Sequence, residues 1–149
     1  MKINIKNLIL ITFCLYSLFF IVGSIFAPIC AHYHQFDLSG KLTAMYMFSC
    51  HQDPSRSFWI LNYPIALCCR CLGFYIGVAI SSFVALVKIY KISFIKFALL
   101  LTIALADIIC NYAFKLNTGN FIRFLAGIAL GVSFITSICY VYKLKKERK

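Results

Sequence analysis

The sequence predicts an all-α membrane protein: about four transmembrane helices in a bundle, with a short interfacial helix between the first two, in a single domain over residues 1–149. Three observations predict it. Hydrophobic residues make up 62% of the chain and charged ones only 13%, an apolar load that so short a chain has too little interior to hide from water. The apolar residues fall into four runs, each near the roughly 20 residues that span a bilayer. Ten of the fifteen Lys and Arg residues behind the net charge of +11 lie near the chain ends or in one short linker, flanking those runs. That placement is topogenic and suits an anionic lipid surface. It does not suit nucleic acid, which would want the basic residues clustered on a polar domain.

The first span covers residues 7–31. A secretory signal peptide is the competing reading, but its apolar core would run about 7–15 residues to a small-x-small cleavage site. This run is longer, and Ile29 before Cys30 suits lipoprotein-type cleavage poorly. An uncleaved helix is expected, with Pro28 near its end. Residues 32–63 are the longest polar region. Within it Asp37-Leu-Ser-Gly40 reads as a turn or helix start, 41–48 as the interfacial helix, and Asp53-Pro54-Ser55 as a turn, because Pro fixes φ and Asp can bond the backbone beyond it. Trp59 and Tyr63 sit where an aromatic belt belongs. The second span is expected over 64–87, with Pro64 in its first turn. The third covers 92–114 after a basic linker, and the fourth 120–142 after the turn at 115–119. A basic tail follows from Lys143.

Lysine and arginine bias places both termini in the cytoplasm of a multi-pass cell-membrane protein, and the Cys50 loop on the outer side. In that orientation the polar residues within the spans share the outer half. Cys68 to Cys71 occupy the first two turns of span two. Asp107 lies roughly 10 Å from the outer end of span three at the helical rise, with Asn111 one turn nearer the surface. Asn120 and Arg123 begin span four. Spacing of three and four aligns Asn120, Arg123, Gly127 and Gly131 on one stripe, and Arg70, Gly73, Gly77 and Ser81 on another. Each stripe holds a Gly-x-x-x-Gly, the signature of close helix packing. An unpaired carboxylate in hydrocarbon costs kilocalories, so Asp107 needs Arg123 or Arg70 as a partner, in a structural or a functional pair.

Four of eight cysteines lie between Cys50 and Cys71. Cys68-x-x-Cys71 near a helix start, with Arg70 between, favours thiolate, which attacks disulfides and binds soft metals. Cys50 supplies a third sulfur. His51 offers a fourth ligand or a supporting group, since adjacent residues rarely ligate one metal comfortably. His32 and His34 are spare candidates. A disulfide among Cys30, Cys50, Cys68 and Cys71 is open as well on an oxidising face. Cys14, Cys69, Cys110 and Cys139 read as small apolar filler.

These residues carry a resemblance. Cys50-His51-Gln52, Arg56-Ser57-Phe58, Leu67-Cys68-x-Arg70-Cys71-x-Gly73-x-Tyr75-x-Gly77, Asp107 and Asn120-x-x-Arg123-x-x-x-Gly127-x-x-x-Gly131 together resemble the domain of unknown function 2085 family, over about residues 45–131. Ile108 departs from the family's usual Gly after the Asp, and Asn111 stands where a nearby Gln is expected. The resemblance implies an integral membrane protein, and that Gln52, Arg56, Ser57, Arg70, Asp107, Asn120 and Arg123 matter beside the cysteines. It implies no reaction.

Three functions remain open. One is a binding site for zinc or another transition metal at Cys50, Cys68, Cys71 and His51. The second is a thiol-disulfide oxidoreductase working through Cys68 and Cys71, with quinone as its electron partner. The third is a small transporter or carrier subunit built on Asp107 and Arg123, which four spans would support only as a homo-oligomer. Expected partners are the lipid bilayer and either a second copy or a membrane or extracytoplasmic protein. No nucleotide-binding loop and no Ser-His-Asp order is present.

Overall fold

The computed structural model describes residues 5–87, 94–114 and 118–147. Helix α1 runs Ile5–His32 and carries Pro28 in its last turns. Its length and apolarity match the first expected span. Helix α2, Phe36–Met45, begins one turn before the expected interfacial helix, with Asp37 in its first turn. The helix start expected at Asp37-Leu-Ser-Gly40 is present, and Asp37 pairs with Lys41 one turn on in an exposed contact of roughly 0.2–0.5 kcal/mol.

The largest departure from expectation is at residues 57–68. Strand β1, Ser57–Ile60, pairs antiparallel with strand β2, Tyr63–Cys68. The expected helical start at Pro64 is therefore a strand. Ile60 faces Tyr63 across a two-residue loop, and Leu61 and Asn62 both take positive φ, at 52° and 65°. Hairpin loops of two residues require that backbone, and Asn is among the residues that tolerate it. Pro64 ends the helical option, because a turn fixed just before it closes the hairpin instead. Helix α3, Cys69–Val87, starts only where β2 stops.

Helix α4 spans Phe94–Tyr112 and helix α5 Gly119–Glu147. Among the described residues, α1, α3 and α5 are long and apolar enough to cross a membrane, while α4 has a shorter apolar stretch, Phe97–Tyr112. The linker expected at 88–91 and most of the turn at 115–119 lie outside the described residues.

The protein is an all-α membrane bundle carrying one small hairpin. Helix α3 is its centre: it packs on α5 along its length and on α1, and α4 packs on α5. The two glycine stripes face each other. Gly73 lies against the backbone of Phe124 and Ile128, and Gly127 against that of Arg70 and Phe74. Backbone meets backbone at these positions, so the axes approach as closely as two helices can. Large apolar side chains cover the outside, among them Leu15, Phe19 and Val22 of α1, Ile80 and Phe83 of α3 and Leu99 and Ile103 of α4. In water such a surface would drive aggregation; in lipid it is the solvated face. Lys6 at the start of α1 and Tyr142 near the end of α5 line a common cavity, so the two ends of the described chain sit at one end of the bundle.

Candidate functional site

At the other end of the bundle, the loop after α2 is folded back onto the start of α3. Tyr46 anchors it. Its ring is buried against Phe20 of α1, with centroids 5.1 Å apart, and the missing side chain of Gly23 leaves room for its hydroxyl. The Tyr46 carbonyl accepts the N–H groups of Ser49 and Cys50 at 2.9 Å. Gln52, at φ 53°, sends Nε2 to the carbonyls of Thr43 and Ala66, tying α2 to β2. Asp53 accepts from the Ser55 N–H at 2.9 Å and its hydroxyl at 2.7 Å, closing a single 3-10 turn over Pro54–Arg56. Those bonds hold the Asp53 carboxyl below its usual range. The turn expected from Asp53-Pro54-Ser55 is present.

The result is a cluster of three sulfurs. Cys50, Cys68 and Cys71 have their Sγ atoms within 4.8 Å of one another. Cys68 Sγ and Cys71 Sγ are 3.3 Å apart, a hydrogen-bonding distance between free thiols and well beyond the covalent S–S length of about 2.05 Å. Cys50 Sγ accepts the backbone N–H of Cys68 at 3.2 Å and of Gln52 at 3.5 Å. Thiol donors at Cys68 and then Cys71, aided by those two N–H groups, pull the Cys50 thiol far below its ordinary range despite burial. Three thiolates at 2.3 Å from one tetrahedral ion would stand about 3.8 Å apart, so the cluster needs only small shifts to hold such an ion. Cys69, by contrast, is fully buried in the α3 packing, in keeping with its reading as filler.

The cluster opens onto a cavity of about 370 Å³ lined by Ser49, Cys50, His51, Asp53, Arg56, Cys68, Arg70, Cys71 and Arg123. His51 is exposed on this wall and lies outside the sulfur cluster. His32 and His34 do not join the sulfurs.

A polar network runs behind the cavity. Asp107 is 8% exposed and pairs with Arg70, whose Nε is 3.2 Å from Oδ2 and whose Nη2 is the closer donor. Of the two expected partners it is Arg70 that takes the carboxylate. Arg123 instead donates to Asn111 Oδ1 from Nη2 at 2.7 Å and Nε at 3.1 Å. Asn111 passes this on: its Nδ2 donates to Asp107 Oδ1 at 2.9 Å. Thr118 completes the carboxylate, donating its hydroxyl to Oδ1 at 2.8 Å. Asn120 Nδ2 donates to the Ser55 and Ser57 carbonyls at 3.3 and 3.4 Å, latching α5 to the hairpin. Ser57 is buried, with its hydroxyl on the Asp53 carbonyl. Gln52, Ser57 and Asn120 thus brace the loop, while Arg56, Arg70 and Arg123 reach the cavity. Sequence reasoning missed Thr118 and Ser49. Thr118 just before Gly119 has the look of a helix cap, a local signal that says nothing of a carboxylate on another helix.

The profile of a family described as "Predicted membrane protein (DUF2085)" matches residues 50–137. The chain belongs to that family. The DUF2085 match takes in every cavity-lining residue except Ser49, together with Asp107, Asn111 and Thr118, and leaves out α1 and α2. Among curated proteins, the chain is similar to the uncharacterised protein MJ1492 of Methanocaldococcus jannaschii, 36% identical over 76 residues. That stretch is 50% of this chain and 48% of the relative, so the chain spans about half the length of the relative it matches. No solved structure matches the chain.

Proposed function

We propose that this DUF2085 protein is a four-span cell-membrane protein that binds zinc or a similar thiophilic metal ion on its outer face. The observation that carries the reading is the convergence of Cys50, Cys68 and Cys71 to within 4.8 Å. They come from a loop, a strand end and a helix start, so no single local structure would gather them. Three cysteines leave one position of a tetrahedral ion to be filled from the cavity, by His51 after a small loop movement or by an outside ligand. A partner subunit or an extracytoplasmic protein could supply that ligand.

The test is metal analysis of protein purified in mild detergent with a free-thiol count alongside. One equivalent of metal is expected, lost as completely in Cys50→Ser as in Cys71→Ser, and chelation should lower the thermal midpoint. Metal-free protein with a reversible Cys68–Cys71 disulfide would overturn this reading. It would promote the thiol oxidoreductase working with quinone, for which the 3.3 Å Cys68–Cys71 approach is the favourable observation.

The outward orientation rests on the Lys/Arg bias. The shared end of Lys6 and Tyr142 supports an even number of crossings. A membrane-impermeant thiol reagent on intact cells should label Ser39→Cys above the parent's background and miss Leu144→Cys. The reverse pattern would move the site to the cytoplasm.

A further inference from the structure

We infer that the arginine-lined cavity beside the sulfurs binds a phosphate group. Arg56, Arg70 and Arg123 line both the 370 Å³ cavity and a smaller one of about 120 Å³ behind it. They come from the 3-10 turn, α3 and α5, so three guanidinium groups face shared space from three directions. Their carboxylate partners are fewer. Arg56 has Asp53 at 3.2 Å, an exposed pair of little strength. Arg70 has Asp107, whose side chain is 5% exposed and closed off behind it. Arg123 hydrogen-bonds the neutral Asn111 and lies within electrostatic reach of the Asp53 carboxylate.

Three guanidinium groups thus share the cavity wall with a single carboxylate, Asp53, at the end of an apolar bundle, where unpaired charge is costly. Helices α3 and α5 both begin at this end, adding the positive end of each helix dipole. A tetrahedral oxyanion accepts from several directions at once and matches forked guanidinium donors. The arginines are not among the sulfur ligands of the metal reading, so the inference does not depend on that reading. The phosphate can belong to a soluble compound or to a lipid headgroup, since helices that cross a bilayer end near its headgroups.

The test uses the full chain in phosphate-free maltoside detergent. Inorganic phosphate is titrated in one arm and phosphatidylglycerol in mixed micelles in the other, with chloride at matched ionic strength as the blank. Saturable binding of about one equivalent is expected in at least one arm. Arg123→Gln should weaken it about tenfold, the usual consequence of losing a charged hydrogen-bond donor. Arg123→Lys should recover part of that loss. Arg56→Gln, at an exposed position that spares the helix packing, should weaken it as well. Gly40→Ala, where an added Cβ meets nothing within 4 Å, should bind phosphate as the parent does. Binding of inorganic phosphate alone points to a soluble compound, and binding of phosphatidylglycerol alone to a headgroup. Binding in neither arm, or equal binding by the parent and both glutamine variants, overturns the inference.

Discussion

Asp107→Ala is expected to cut accumulation in the membrane severely and to destabilise what remains by about 3 kcal/mol, the lower part of the range for breaking a buried ion pair. The lower part applies because Arg70 is 28% exposed and keeps some access to polar surroundings, whereas the carboxylate is enclosed. Three side chains lose their anchor at once. Arg70 is left without a counter-ion, and Asn111 and Thr118 lose the Oδ1 they share. Asp107→Asn should do less harm, since it keeps an acceptor while removing the charge. The double variant Asp107→Leu with Arg70→Met should recover much of the loss, because an apolar pair of similar volume replaces both ions. Thermal midpoints in detergent for the parent, Asp107→Leu, Arg70→Met and the double variant form a double-mutant cycle. Additive losses in that cycle, or an Asp107→Ala protein that melts like the parent, would mean the ion pair contributes nothing.

Gly127→Val is expected to be as damaging, by about 3 kcal/mol or more. A Cβ at residue 127 would overlap the Arg70 carbonyl and approach the Phe74 nitrogen at 3.0 Å. These are backbone atoms of a continuous helix, so relief requires α3 and α5 to part along their whole contact. The site should fail with the packing, because this crossing is what sets Arg70 of α3 beside Arg123 of α5. Gly40→Ala is the matched control. Nothing lies within 4 Å of a Cβ there, and alanine is the better helix former by about 1 kcal/mol. It should leave the protein unchanged or slightly firmer. Parent-like yield and midpoint for Gly127→Val would show that the glycine contact is not tight.

The sequence alone determined the solvent of this protein. Apolar run length is a local property, and a run that is long enough to span a bilayer reads the same in any tertiary context; α1 and α5 match their expected spans for that reason. Helical periodicity likewise put Gly127 and Arg123 on one stripe, because side chains three and four apart must share a face. Tertiary structure decided what local periodicity cannot encode. Residues 63–68 are apolar enough to begin a helix, and only pairing with 57–60 makes them a strand, since a short apolar run fits either. The sequence offered Asp107 two arginines at similar depth. The choice of Arg70 came from the rotation of α4 against α3 and α5, which also brought Asn111 between Asp107 and Arg123. Cys50 is eighteen residues from Cys68, and its approach depends on Tyr46 seating against α1. That contact joins distant parts of the chain and exists only once the helices have packed.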